Sequence, residues 1–88
     1  MHEVHFLEWF NADFPDFDTT EGRAALETRA DEIMGELNRY FHPAYMERSD
    51  NAQYLAEDIV AIRQAYASRD YNAMGIALEF FKTAVRWI

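Results

Sequence analysis

The sequence predicts an all-α fold, a small antiparallel helical bundle of three long helices plus a short N-terminal helix. Three observations carry that prediction. Large apolar residues recur at alternating steps of three and four in three separate segments, which is the seam of helices packed nearly parallel or antiparallel. Residues able to cap or stop a helix stand between those segments. No segment shows the alternation of a half-buried strand. With 88 residues, half of them apolar, the chain has enough material for one core and therefore one domain, residues 1–88.

The first helix is expected over residues 3–12. Val4, Leu7 and Phe10 share a face with Phe14 a turn later, Phe6 and Trp9 widen the apolar arc, and Pro15 forbids continuation. The second, residues 19–41, has the seam Leu26, Ala30, Ile33, Leu37 and Tyr40. Asp18 with Glu21 three residues on is spaced like an N-cap and its partner. Pro43 biases His42 away from helical dihedrals, so this helix should end near Tyr40 or Phe41, with Pro43 to Asp50 as a loop.

The third helix, residues 51–67, follows the same logic with Leu55, Ile59, Ile62 and Tyr66 as its seam and Asp50 with Gln53 as its cap. The short polar stretch Ser68 to Asp70 then forces a tight hairpin, with Asp70 or Ser68 capping the last helix. That helix, residues 71–88, has the richest seam, Tyr71, Met74, Leu78, Phe81, Val85 and Ile88, and should be the keystone. Beside the seam runs a second apolar stripe, Phe80, Ala84 and Trp87, which needs a cover from the first helix or from another subunit. No second copy of any segment recurs at a period near 34 residues, so a helical solenoid is excluded.

Composition excludes several function classes. There is no cysteine, hence no disulfide and no thiolate zinc site, which fits a cytoplasmic setting. No basic stretch leads into a hydrophobic run at the N-terminus, and no run approaches the ~18 apolar residues of a membrane span. The net charge of -8 argues against nucleic acid or an anionic membrane as direct ligand, because neutralising phosphates requires a basic patch.

Chemistry-bearing constellations are also lacking. His2-Glu3-Val4-His5 resembles the zinc-protease pattern His-Glu-x-x-His, but its histidines stand at i and i+3 and the only other histidine is His42. We read it as a fortuitous surface pair and expect no metal. No glutamate has a histidine three residues later, as a di-metal bundle requires. The serines Ser49 and Ser68 fall in expected loops or caps, and Gly22, Gly35 and Gly75 are isolated, so neither a nucleophile elbow nor a phosphate-cradling loop exists. The expectation is a protein without catalysis and without a cofactor.

The informative feature is charge segregation. Residues 1–36 hold ten acids against Arg23 and Arg29, whereas residues 37–88 hold six acids and six bases, so the first part carries the whole net charge. Within Met1 to Asp18 there are five carboxylates and five aromatics but no lysine or arginine. Its phenylalanines Phe6, Phe10, Phe14 and Phe17 should close the core. In the second helix Glu27, Asp31, Glu32 and Glu36 lie off the seam, with Glu27/Asp31 and Glu32/Glu36 both at i,i+4, although like charges at that spacing cost a few tenths of a kcal/mol per pair. Four helical residues advance ~6 Å, close to two phosphate steps of a nucleic-acid strand.

The predicted partner-binding surface is accordingly Trp9, Asp13, Asp16, Asp18, Glu27, Asp31, Glu32 and Glu36, with Trp9 as an exposed anchor and Glu79 as a contrasting acid outside it. The partner chemistry it implies is a basic protein, of the kind that itself binds nucleic acid, met in the manner of a nucleic-acid mimic, an immunity protein or a phage-type anti-defence inhibitor. An alternative is a structural or regulatory module that forms a homodimer through the apolar stripes of the first and last helices. A third reading is a small-ligand binder built on Arg63, Arg69, Tyr66 and Tyr71, which requires those four to converge in a pocket.

Overall fold

The apolar seams become the core of a computed structural model that describes residues 2–87. Leu26, Ala30, Ile33 and Leu37, then Leu55, Ile59 and Ile62, then Met74, Leu78 and Phe81 are all at most 4% exposed. Each of the larger side chains contributes about 1.5 to 3 kcal/mol of transfer free energy before entropy is counted. The described residues form helices and no strands, in the order α1 (His2–Asp13), α2 (Thr20–Thr28), α3 (Ala30–Tyr40), α4 (Pro43–Arg48), α5 (Asp50–Tyr54), α6 (Ala56–Ala67) and α7 (Tyr71–Val85). Their radius of gyration is 12.1 Å, against about 12 Å for a close-packed chain of this length.

The long helix expected over 19–41 is two helices that meet at Arg29 (φ -117, ψ 19). The hydroxyl of Thr28 donates back to the carbonyls of Ala24 (2.9 Å) and Ala25 (3.3 Å), a local bond that competes with the helical ladder and bends it. The break lets α2 lie on α7 while α3 packs on α1 and α6. The expected helix 51–67 is likewise divided, at the buried Leu55.

The predicted loop from Pro43 to Asp50 is mostly the helix α4. Pro43 ends α3, as expected, yet its fixed φ suits the first position of a new helix, and the His42 ring nitrogen Nδ1 caps it by accepting from Ala44 N–H at 3.0 Å. Two of the expected caps shift by one residue: Thr19 rather than Asp18 caps α2, and Ser49 rather than Asp50 caps α5. Asp70 caps α7, accepting from Ala73 N–H at 3.1 Å.

The turn between α6 and α7 is closed by Asp70 N–H donating to Ala65 O (2.9 Å) and Arg69 N–H to Tyr66 O (3.0 Å), with Arg69 in the left-handed region at φ 56. This Schellman arrangement ends α6 abruptly and folds α7 back antiparallel. α7 ends at Val85; Ile88, the last residue of the predicted seam, lies outside the described residues. No described helix is long and apolar enough to cross a membrane.

Candidate functional site

The aromatic residues of the N-terminal segment decide how the acidic residues are displayed. The buried face of α1 is Glu3, Phe6 and Phe10, not the Val4 and Leu7 line predicted, and Val4 is exposed. Phe6 reaches the centre of the molecule, with its ring 5.6 Å from Phe81 and 6.1 Å from Phe41, both near edge-on. Phe10 and Phe14 stack at 5.0 Å. Trp9 was expected as an exposed anchor; it is half-buried, packed on the core with its ring 5.6 Å from Phe14 and 6.0 Å from Phe6. Large flat rings fill the shallow end of the core better than Val4, so the helix turns them inward.

Past Pro15 the chain is locked in place. Asp16 O accepts from both the amide (3.0 Å) and the hydroxyl (2.7 Å) of Thr19, and the same hydroxyl accepts from Gly22 N–H at 3.0 Å. Gly22 is required here, since a methyl group on its Cα would run into the Asp16 carbonyl. Phe17 is the second lock: its ring lies flat on Gly75 of α7, in space that any larger residue would take, with the Arg23 guanidinium 5.7 Å from its centroid. The segment carrying Asp16 and Asp18 is thus pinned to α2 on one side and α7 on the other. Both acids are exposed and, like Glu27, make no ion pair among the described residues.

Arg29, at the break between α2 and α3, organises the second group. Its guanidinium lies 4.3 Å from the centroid of Phe14 and donates to Asp13 Oδ2 (3.3 Å), Asp13 O (3.2 Å) and Glu32. The hydrogen bond to Glu32, reinforced by Asp13, holds the Arg29 pKa above its ordinary value. Glu36 pairs with Arg39 at 3.7 Å and is half-buried. Asp31 points to the other flank, where it accepts from the Tyr66 hydroxyl, and that bond raises the Tyr66 pKa.

The eight predicted residues therefore do not form one row. The pair Glu27/Asp31 straddles the break at Arg29, so only Glu32/Glu36 keeps the i,i+4 geometry of a single helix. Asp16 and Asp18 instead line a recess of about 380 Å³ with Phe17 and Glu79. Glu79, the acid chosen as a contrast, is part of that recess; it comes from α7, and its closeness depends on the α2·α7 packing rather than on any local spacing. Lys82 donates to Glu79 at 3.4 Å.

Glu3 is another departure. Counted among the five carboxylates of Met1 to Asp18, though not in the predicted surface, it is fully buried, its Oε2 accepting from the Tyr45 hydroxyl at 2.9 Å while Oε1 has no partner among the described residues. Its spacing of three and seven from Phe6 and Phe10 is the signal that places it on the aromatic face.

Of the four residues of the small-ligand reading, Tyr66, Arg69 and Tyr71 lie near one another beside Asp31, and only Arg63 is turned away. Arg63 donates to Asn38 Oδ1 (3.2 Å) and Phe41 O (3.1 Å), tying α6 to α3; Tyr66 is held by Asp31; and Arg69 bonds Tyr71, which raises the Arg69 pKa. His2, part of the protease-like pattern, stacks on Tyr45 with ring centroids 4.0 Å apart.

No protein-family model matches the chain, and neither does any curated protein or solved structure.

Proposed function

We propose that this chain is a non-enzymatic binding protein that occupies a basic surface on a partner protein, in the manner of a nucleic-acid mimic or an inhibitor of a nucleic-acid-binding protein. The observation that supports it is the pair of exposed acids Asp16 and Asp18, without an ion pair among the described residues, on a segment held rigid by Phe17 and Gly22, with the exposed Glu27 on α2 on the other side of Phe17. A fixed array of uncompensated charge raises encounter rates with a basic partner and loses little entropy when it binds.

The eight residues named from sequence take unequal parts in this reading. Asp16, Asp18 and Glu27, with Glu79 beside them, form the primary contact; Asp31 and the tethered acids Asp13, Glu32 and Glu36 extend the negative field. Trp9 supports the surface from beneath. The partner is basic, the chain needs no cofactor or metal for this role, and its setting is the cytoplasm.

The test is capture of partners from native cell extract on the immobilised chain, eluted by a salt gradient. Basic proteins should be released by salt from the wild-type chain and should not be retained by a variant with Asp16, Asp18 and Glu27 all changed to Lys. Equal retention on the two surfaces would overturn the reading.

A further inference from the structure

A second surface lies on the α6/α7 hairpin, and nothing in the acidic reading uses it. Between the two helices runs a groove of about 440 Å³ whose floor is alanine, Ala61 and Ala65 from α6 with Ala73 and Ala77 from α7. One wall is made by Ile76 and Phe80, which stand 47% and 64% exposed. α1 was one candidate cover for this face, but it packs on the Phe81 side of α7 and leaves Phe80 bare.

Among the described residues, the only charged side chains lining the groove are Asp58 and Asp70. Asp58 stands in the first turn of α6 and Asp70 just past its end, so the two mark opposite ends of the groove, about 15 Å apart along the helix axis. Neither makes an ion pair among the described residues. Burial, with the neighbouring Glu57 charge, raises the Asp58 pKa, as expected of a carboxylate that has lost water and gained no base. The four bases of the hairpin all face elsewhere. Arg63 donates to Asn38 and Phe41, Arg69 bonds Tyr71, Lys82 donates to Glu79 beside the Phe10 ring, and Arg86 lines a recess next to α1.

We propose that this groove docks an amphipathic helix of another protein, whose apolar stripe is bracketed by a lysine or arginine at each end. The alanine floor lets a helix backbone approach closely, and the ridge of Ile76 and Phe80 packs beside its stripe. Three turns of helix advance about 16 Å, which sets one base against Asp58 and the other against Asp70. Those bases supply the counter-charge that the chain itself directs away from the groove. A second copy is the poorer occupant, because it brings the same two carboxylates and no base to the contact. The groove face of α7 points away from Gly75, which faces Phe17, so a helix docked here leaves the acidic recess in solvent.

The test uses a displayed library of helical peptides about four turns long, randomised on one face and selected on the immobilised wild-type chain. Enriched peptides should carry an apolar stripe with Lys or Arg about three turns apart at its ends. They should bind Phe80→Glu and, separately, Asp58→Lys at least about tenfold more weakly than the wild type, while circular dichroism melting shows both variants folded. Asp16→Lys, which alters only the acidic recess, should bind them as the wild type does, so the outcome is independent of the acidic reading. Absence of enrichment, enriched peptides without the paired bases, or unchanged binding by both hairpin variants each overturns the proposal. Sedimentation equilibrium that finds the wild-type chain dimerising through Phe80 assigns the groove to a second copy and overturns it as well.

Discussion

The acidic side and the hairpin side of this molecule share one core and have opposite surfaces. On the α1–α3 side, aromatic residues face inward together with Glu3, most other acids face outward, and the loop bearing Asp16 and Asp18 is fastened by two glycine contacts. On the α6/α7 side, the groove has Asp58 and Asp70 as its only charged groups among the described residues, and the exposed large apolar side chains are Ile76, Phe80 and Trp87. The difference teaches that in a chain this small one helix can serve both surfaces. α7 presents Gly75 to the acidic loop and Phe80 to solvent, on opposite faces of the same rod. A binding surface that relies on charge needs rigidity from the backbone beneath it, whereas one that relies on apolar shape needs only a groove.

The comparison breaks most severely at Gly22. Gly22→Ala forces a methyl group into the Asp16 carbonyl, where neither backbone can yield, and should destabilise the fold by about 3 kcal/mol, lowering the melting temperature by at least about 10 °C and loosening the acidic loop. Retention of the wild-type melting temperature would show that the loop is not fastened there.

A smaller effect of opposite sign is expected at Glu3. Its carboxyl is buried among aromatic rings with one oxygen unpaired, so Glu3→Met, which keeps the volume and removes the polar group, should stabilise the chain by about 1 kcal/mol or more in thermal or denaturant unfolding. Destabilisation would mean that Glu3 holds the N-terminal helix through a partner its burial conceals. Gly35 sharpens the contrast with Gly22. A methyl group there meets nothing within 4 Å on an exposed helix, so Gly35→Ala should stabilise by roughly 0.5 to 1 kcal/mol.

The smallest expected effect lies at the rim of the hairpin groove. Burial, with the neighbouring Glu57 charge, raises the Asp58 pKa. A carboxyl with a raised pKa favours its protonated form in the folded state, so its contribution is fully present below about pH 4 and is lost as the pH rises through the folded pKa. Asp58→Asn should therefore raise the melting temperature slightly at neutral pH and leave it unchanged well below pH 4. A shift of the same size at both pH values would contradict the assignment.

How much of this was legible in the sequence differs by feature. The seams were, because a three-four spacing records burial regardless of what the backbone does between seam residues. The same property concealed the helix breaks: Leu26 and Ala30 are in register across Arg29, and only Thr28, whose hydroxyl bonds back along the helix, marked the spot. The segregation of charge could be counted residue by residue. Its pairing could not, because Arg29 reaches Asp13 across sixteen positions and Glu79 meets Asp16 only through the packing of α2 on α7. Counting carboxylates did not separate Glu3 from the exposed acids; only its register with Phe6 and Phe10 points inward. Of the groove, the stripe through Phe80 showed in the sequence, but its floor left no trace, since alanines suit any face of a helix.

The central claim is that the rigid, unpaired acids around Asp16 recognise a basic partner. Its most direct measurement is the association rate of the captured partner with the wild-type chain, with an Asp16→Lys, Asp18→Lys, Glu27→Lys triple variant and with a Glu57→Lys control, each over a range of salt concentrations. The wild-type and control rates should be high at low salt and fall steeply as salt is added, while the triple variant associates slowly throughout. Rates that do not change with salt, or a triple variant as fast as the control, would contradict it.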